Sequence, residues 1–391
     1  MKKAEESLRL YLHIPFCVRK CLYCDFLSAP ATETVQRQYV DALIRELRAV
    51  KENAENDSRE GKIPLSLRRI SSIYIGGGTP SILPCGEIER IMETVYSVFA
   101  VEDTAEISME LNPGTISDKQ LLQSYRRSGI NRLSIGLQST VDSELRALGR
   151  IHTWQDFCET YDAVRQSGFQ NINVDLMAAI PGQDLASYLT SLHRVISLKP
   201  EHISAYSLIV EENTPFYEQR DMLVLPSEEE EREMYEQTKQ VLSEAGYERY
   251  EISNYARKGY ECRHNTGYWR RDSYLGFGIG AASLIDNTRF HNTEDLEKYL
   301  NSSSIMEIRE DEQVLTGKDQ MEEFMFLGLR MTEGISKKKF QDSFAVSIDE
   351  IYATQLDELE KEGLLYVEKD RIRLTKRGLD LSNVAMAEFL F

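Results

Sequence analysis

Six short apolar runs, each followed by a longer segment with helical periodicity, most constrain how this chain can fold. The runs have the length and β-branched content of strands, and they are SLRLYLHI, ISSIYIGGG, AEISMELNP, RLSIGLQS, NINVDLMAAIPG and HISAYSLIV. Helical spacing of apolar residues is found over residues 34–53, 86–99, 117–128, 153–168 and 184–197. Strands that alternate with helices form parallel βα units. A closed barrel needs about eight such units, so six predict an α/β fold with a partial, open (β/α)6 barrel of the TIM type.

The pattern along the chain divides it into three regions. Residues 1–225 carry the barrel pattern, residues 226–315 form a connecting region of helices and strands, and residues 316–391 contain helices and one hairpin. The hairpin is predicted over GLLYVEKDRIRLTKRGL, which makes the last region a small α+β winged-helix-like domain. Residues 56–68 are interpreted as an exposed insertion, and Ser227 as the N-cap of a glutamate-rich helix.

The charge balance narrows the choice of partners. There are 46 Lys and Arg against 64 Asp and Glu, a formal net charge of −18. Such a charge repels nucleic acid, so DNA binding by the winged-helix-like domain is not expected. It also disfavours contact with anionic lipid, although a peripheral membrane contact through apolar surface or another protein stays open.

No apolar run approaches the roughly 20 residues that span a bilayer. The first residues, MKKAEESLRL, are too polar for a signal peptide. The chain is therefore interpreted as cytoplasmic, where thiols stay reduced.

Half of the six cysteines are concentrated directly after the first predicted strand. Cys17, Cys21 and Cys24 have the spacing C-x3-C-x2-C. A zinc site would combine paired C-x2-C elements into four closed ligands, and a purely structural role as small buried residues is a further alternative. Three thiolates suit a cubane iron–sulfur cluster that leaves one iron open to another ligand. The remaining cysteines stand alone and are interpreted as structural: Cys85, Cys158 and Cys262.

Polar or glycine-rich residues lie at or near the ends of later strands, where parallel barrels place their working residues. The glycines of GGGTP, residues 76–80, would let a ligand approach the backbone closely. Glu110 and Asp175 are carboxylates in otherwise apolar strands, where burial is costly without a partner. Gln138 offers a donor and an acceptor, and Arg150 a planar fork for a carboxylate. The structural alternatives are a tight turn, satisfied carboxylates and a surface salt bridge.

The stretch HIPFCVRKCLYCDF resembles the cluster loop of the radical S-adenosylmethionine (SAM) superfamily. With GGGTPS, it is similar to the branch that contains the coproporphyrinogen oxidase HemN and the haem chaperone HemW, and the likeness extends over nearly the whole chain. The resemblance implies a [4Fe–4S] cluster on the three clustered cysteines, whose open iron chelates SAM. It also implies cleavage of SAM to methionine and a 5′-deoxyadenosyl radical, with an electron donor of the flavodoxin or ferredoxin type.

The same resemblance assigns a set of SAM contacts. The tyrosines would flank SAM near the cluster, the glycines and the threonine would meet its methionyl end, and the serine backbone would contact adenine. The implied residues are Tyr11, Tyr23, Gly77, Gly78, Thr79, Glu110, Gln138, Arg150, Asp175 and Ser207.

Two departures from the HemN pattern are features of HemW instead. Phe26 stands where the oxidase carries a fourth cysteine, and the cluster begins too early for the oxidase's N-terminal extension. HNTGYW also matches the HNxxYW motif of HemW proteins, which implies haem contacts by His264, Asn265, Tyr268 and Trp269. Imidazole is a common haem ligand and aromatic rings suit a porphyrin face. Without the motif, a histidine beside aromatic residues is more often part of a core.

The resemblance therefore implies a haem chaperone that holds a cluster and SAM, binds haem and delivers it to acceptors such as respiratory enzymes. The alternative is an enzyme, the oxygen-independent coproporphyrinogen III oxidase. A different radical reaction on another tetrapyrrole is a third option. Cleavage of SAM is compatible with all three, so an enzymatic activity stays open.

Overall fold

The computed structural model describes residues 7–52, 63–116 and 118–390. Some positions named in the sequence analysis lie outside the described residues. They are residues 1–6, residue 53 of the predicted helix 34–53, residue 117 of the predicted helix 117–128, and positions 56–62 of the expected insertion. The remainder of that insertion contains a single 3-10 turn, Leu65–Leu67.

Six parallel strands form the first part of the chain, as the sequence predicts. They are β1 (Leu8–Ile14), β2 (Arg69–Gly77), β3 (Ala100–Leu111), β4 (Arg132–Gln138), β5 (Ile172–Ala178) and β6 (His202–Ser207). Each pairs in parallel with the next along the chain. The predicted α/β fold with an open (β/α)6 barrel is confirmed.

The helices between these strands cover the outside of the sheet. They are α1 (Glu33–Glu52), α2 (Glu87–Val98), α3 (Lys119–Arg127), α4 (Asp142–Ala147), α5 (Trp154–Gln166) and α6 (Leu185–Ser197). Three of these helices have an N-cap side chain that accepts a backbone N–H of the first turn, which fixes the residue at which the helix begins. The caps are Asp118 of α3, Thr153 of α5 and Asp184 of α6. One apolar core joins strands and helices, with Leu12, Ile75 and Leu43 fully buried.

The connecting region extends the sheet at both edges. The short helix α7 (Pro215–Glu218) precedes it and still belongs to the barrel region. The elements of the connecting region are α8 (Glu228–Glu244), β7 (Glu248–Arg249), β8 (Asn254–Ala256), α9 (Arg263–Trp269), β9 (Tyr274–Phe277), β10 (Ala282–Ile285), β11 (Thr288–Asn292), α10 (Leu296–Asn301), α11 (Ile305–Ile308) and β12 (Arg309–Val314). The strand order is β12-β11-β10-β9-β1-β2-β3-β4-β5-β6-β8-β7. Ser227 caps α8 in a capping box with Glu230, as predicted. The chain therefore crosses from one edge of the barrel to the other through α9.

The position of α9 is set by a carboxylate on a barrel strand. Glu106 of β3 accepts the backbone N–H groups of Arg263 and His264, at 3.1 and 3.0 Å. These are two of the N–H groups that the first turn of a helix leaves without partners. The thiol of Cys262 is buried and donates to the same carboxylate at 3.6 Å. The helix that carries HNTGYW is thus fastened to the barrel.

The last region contains helices and a separate three-stranded sheet. Its elements are α12 (Gly317–Gly328), β13 (Ile335–Ser336), α13 (Lys337–Phe344), α14 (Ile348–Ile351), α15 (Ala353–Lys361), β14 (Leu365–Val367), β15 (Arg371–Leu374), α16 (Lys376–Asp380) and α17 (Ser382–Ala387). The predicted hairpin is β14–β15, and β13 pairs with its second strand. The boundaries drawn at residues 225/226 and 315/316 stay predictions. Among the described helices, none combines the length and the apolarity needed to cross a bilayer.

Candidate functional site

The cysteine loop leaves the end of β1 and is closed at its base by backbone hydrogen bonds. Ala29 donates to the carbonyl of Pro15 at 2.9 Å, and Cys17 donates to the carbonyl of Ala29 at 3.2 Å. Farther along the loop, Leu22 donates to the carbonyl of Leu148 at 3.1 Å. All three thiols of the loop are partly exposed. The loop is therefore held at its base and near its middle, and its three cysteines stay partly exposed.

The three cysteines line a cavity of about 440 Å³ at the carboxyl ends of the barrel strands. Nine of the ten residues implied as SAM contacts line the same cavity. They are Tyr23, Gly77, Gly78, Thr79, Glu110, Gln138, Arg150, Asp175 and Ser207. Tyr11 is the exception and lines a neighbouring cavity. The fold thus assembles this set from distant parts of the sequence, and the contact each residue makes stays a prediction.

Two hydrogen-bond donors lie beside the sulfur atoms of the cysteine loop. Thr79 Oγ1 lies 3.5 Å from the sulfur of Cys17, and Arg150 Nη1 lies 3.5 Å from the sulfur of Cys21. Burial raises the pKa of the Cys24 thiol. Within the described residues, no three His, Cys, Asp or Glu side chains converge as the ligands of a single metal ion. In a cubane cluster each cysteine binds its own iron, so the donor set fits that group.

The GGGTP turn packs directly against the cysteine loop. Gly78 and Thr79 donate their backbone N–H groups to the carbonyls of Ile14 and Phe16, at 2.8 and 2.7 Å. A Cβ on Gly78 would lie 2.5 Å from the Phe16 carbonyl oxygen. Gly77 has a φ of +109°, and a Cβ there would lie 2.3 Å from the ring of His13. The glycines are therefore required by this close packing, whatever they contribute to ligand contact.

Arg150 is held inside the cavity by neutral groups, so the surface salt bridge weighed from the sequence is wrong. Its Nη2 donates to Asn112 Oδ1 and to the Gly136 carbonyl, both at 2.6 Å. Its Nε is buried without a hydrogen-bond partner. Asn112 also donates to Thr79 Oγ1 at 2.7 Å. Sequence reasoning missed Asn112, although its place just after Glu110 at the end of β3 was a signal.

The two carboxylates implied as SAM contacts are satisfied by hydrogen bonds. Glu110 accepts from the Tyr74 hydroxyl at 2.8 Å and from the Gly77 N–H at 3.0 Å, while Asp175 accepts from Asn173 Nδ2 at 2.7 Å. Burial raises the pKa of Asp175 above its usual value and that of Glu110 to about 7. Both groups therefore combine a structural role with a position in the cavity lining.

Glu110→Gln is expected to change how stability depends on pH. Burial raises the pKa of Glu110 from 4.5 to about 7, so between these values the folded protein keeps a proton that the unfolded chain has released. The wild type therefore loses stability relative to the variant as pH rises through this window, by at most about 3 kcal/mol. Thermal unfolding of the cluster-free proteins at several pH values measures the difference. Parallel curves for the two proteins would contradict the assignment.

A second cavity of about 500 Å³ adjoins the first. Its walls are rich in aromatic rings, namely those of Tyr11, Phe26, Tyr268, Trp269 and Tyr274. Phe26, Gly77 and Glu110 line both cavities. Two residues of HNTGYW thus face a space directly beside the predicted SAM site, and Phe26 stands at the border.

The other two residues of HNTGYW lie outside the lining of this cavity. His264 is fully buried, with Nδ1 3.0 Å from Ser72 Oγ and Nε2 3.0 Å from the Tyr268 hydroxyl. Burial lowers the pKa of its imidazole to about 3, so the ring is neutral. Asn265 is half-buried on the same helix. An axial role for His264 would require one of these hydrogen bonds to break, so the haem contact of His264 stays a prediction.

Comparisons with known proteins agree with the resemblance drawn from the motifs. The family model of the radical SAM superfamily matches residues 11–195, and that of the HemN C-terminal domain matches residues 315–381. The chain is 35% identical over 382 residues to the heme chaperone HemW of Lactococcus lactis, covering 97% of this chain and 96% of the relative. It is 36% identical over 386 residues to HemW of Bacillus subtilis, covering 97% and 98%.

Among solved structures, coproporphyrinogen III oxidase (HemN) from Escherichia coli superposes with a TM-score of 0.83. The match covers 100% of this chain and 91% of the oxidase, at 24% sequence identity. At this identity the likeness establishes a shared fold. The two HemW relatives combine coverage of 97% of this chain with identities of 35% and 36%.

Proposed function

Because the chain belongs to the HemW family within the radical SAM superfamily, we propose that it is a haem chaperone that holds a [4Fe–4S] cluster and SAM. The observation that carries the proposal is the placement of two sites side by side. Cys17, Cys21 and Cys24 line one cavity with the predicted SAM contacts, and Tyr268 and Trp269 line the cavity next to it.

Different residues of the first cavity would bind different parts of SAM. The three cysteines bind the cluster, which when bound supplies the electron that cleaves the sulfonium of SAM. Arg150 has a free Nε–H for the SAM carboxylate. Glu110 and Asp175 offer acceptors for the ammonium or the ribose hydroxyls, and Ser207 lies at the end of β6 for a backbone contact to adenine.

The second cavity would hold the haem. Rings of Tyr11, Phe26, Tyr268 and Tyr274 offer flat apolar surface for a macrocycle. His264 hydrogen-bonds Tyr268 from beneath the cavity and so orients that wall. Phe26 is 60% exposed at the border of both cavities, where its ring would meet haem and SAM together.

Partners and location belong to the same proposal. Haem would pass to acceptor proteins such as respiratory enzymes, and a flavodoxin- or ferredoxin-like donor would reduce the cluster. The protein would act in the cytoplasm, with at most a peripheral contact to the membrane. The net charge of −18 supports a role without nucleic acid.

Anaerobic titration of the reconstituted protein with haemin tests the proposal. Binding should shift the Soret band, saturate near about one haem per chain, and survive gel filtration. His264→Ala should weaken binding because Tyr268 loses its hydrogen-bond partner. The chaperone proposal is refuted if the wild type shows no Soret change and retains no haem. If His264→Ala binds haemin as tightly as the wild type, only the proposed role of His264 is excluded.

The oxidase alternative is motivated by the shared fold with HemN. An anaerobic assay with coproporphyrinogen III, SAM and a reductant separates the two functions. We expect no protoporphyrinogen, since Phe26 stands where the oxidase has a fourth cysteine. Sustained turnover would overturn the chaperone proposal.

A further inference from the structure

We propose that Arg271 and Arg289 hold the carboxylate side chains of the porphyrin, and that Glu323 occupies their place while the cavity is empty of ligand. The inference rests on the proposed function, because it names how the second cavity would hold haem. It adds a pair of charge contacts and a competing group from the C-terminal helix α12.

The three side chains form a compact charged cluster beside the aromatic cavity. Arg271 Nε donates to Glu323 Oε2 at 2.8 Å, and Arg289 Nη2 lies 2.9 Å from Glu323 Oε1. Both arginines line the cavity of about 500 Å³. Only 6% of the Glu323 side chain is exposed. One carboxylate thus bridges two guanidinium groups at the edge of the space that would receive the macrocycle.

The cluster has more donors than acceptors. Arg271 Nη1 donates to Asn287 Oδ1 at 3.0 Å, while its Nη2 is buried and has no hydrogen-bond partner. A buried guanidinium N–H without an acceptor is costly. The nearby Trp269 Nε1 is also buried without a partner. Two residues of the cavity lining therefore each carry a buried donor without an acceptor.

The backbone at Arg271 supports a role for its side chain. The residue follows α9 directly after its cap, with a φ of +57°. Glycine adopts this conformation at a helix end more readily than any other residue. A large side chain at this position has a conformational cost, and the guanidinium of this one contacts Glu323 and Asn287.

The shape and charge of the cavity select the ligand class. Aromatic walls suit a flat apolar ring system, and two cations at one edge suit a ligand that carries carboxylates there. Two arginines can each take a carboxylate in a bidentate pair. A dicarboxylic porphyrin combines both features. Its carboxylates would replace Glu323, so haem and α12 compete for the same two side chains.

Haemin and its dimethyl ester are the probes that test this inference. Both have the same macrocycle and iron, but the ester lacks the charged carboxylates. The wild type should bind haemin at least about tenfold more tightly than the ester. Arg289→Gln and Arg271→Gln should each weaken haemin binding about tenfold and leave ester binding unchanged. Glu323→Gln should strengthen haemin binding severalfold because the competing charge is removed.

Arg270→Gln is the matched control, because Arg270 is the preceding residue, exposed and paired with Glu333. It should bind both probes like the wild type. The Arg289 side chain is 41% exposed, so Arg289→Gln is expected to fold. It provides the test if Arg271→Gln does not fold. The proposed contacts of the two arginines with the porphyrin carboxylates would be overturned by two results together. These are equal affinity of the wild type for haemin and for the ester, and wild-type haemin affinity of Arg289→Gln. The chaperone proposal would then stay intact. Absence of haemin binding in the wild type would refute both.

Discussion

Cys17→Ala is expected to remove most of the iron–sulfur absorbance from the anaerobically reconstituted protein. The sulfur of Cys17 lies at the base of the loop, 3.5 Å from the Thr79 hydroxyl. Within the described residues, the lining of the cavity contains three cysteines, and the variant leaves one corner of the cluster without a protein ligand. Iron should fall from about four per chain to below about one. Iron analysis and the visible spectrum measure the loss.

Cys85→Ala is the control for this experiment. Cys85 is exposed and lines a different cavity, so its removal should leave iron content and spectrum unchanged. Cys17→Ala with iron near the wild-type level would show that these thiols are not the cluster ligands. That result would also remove the basis for placing SAM in this cavity.

Arg150→Ala is expected to weaken SAM binding about a hundredfold without emptying the cluster site. The guanidinium of Arg150 donates to the sulfur of Cys21, and its buried Nε–H has no hydrogen-bond partner. A charged donor that pairs with a carboxylate in a closed site contributes about 2–5 kcal/mol when one partner is truncated. Equilibrium dialysis of SAM with the reconstituted protein measures the affinity, and iron analysis shows that the cluster is present.

Two further variants show whether the loss of SAM affinity comes from the contact of Arg150 with the SAM carboxylate or from a general effect of removing an arginine. Arg150→Lys keeps the charge but loses the planar fork, so its SAM affinity should lie between those of the wild type and Arg150→Ala. Arg146→Ala removes an exposed arginine of α4 that lies outside the lining of the cavity, and it should bind SAM normally. An Arg150→Ala protein with full cluster content and unchanged SAM affinity would exclude the proposed carboxylate contact.

The barrel could be predicted from sequence because its signals are local. The alternation of short apolar runs and helical segments locates the six strands and five of the six helices between them, and the boundaries of these five helices differ by at most two residues in the structure. The strand boundaries are less accurate: β3 begins five residues before its predicted run, and β5 and β6 end four and three residues before the ends of theirs. The polar residues at or near the ends of the strands also predict one site, because parallel strands all present their carboxyl ends at the same edge. Cys17, Glu110 and Ser207 meet at that edge despite their separation in the chain.

The parts that could not be predicted depend on contacts between distant segments. Asn112 joins Thr79 to Arg150. Its position at the end of β3 indicates that it lies near the site, but nothing in the sequence indicates these two partners. The burial of His264 against Ser72 depends on the packing of α9 on β2. The bridge of Glu323 to Arg271 and Arg289 joins α12 to the second cavity and has no counterpart in the motifs.

The sequence by itself determined the class of fold, the cysteine loop and the set of side chains at the strand ends, since periodicity and contiguous motifs are properties of neighbouring residues. Only the tertiary structure decided how the two cavities share a border at Phe26, and which residues of HNTGYW reach the second one. The physical reason is the crossing of the chain through α9. It pairs β9 in parallel with β1, and this long-range pairing is set by the packing of the whole sheet rather than by any local pattern.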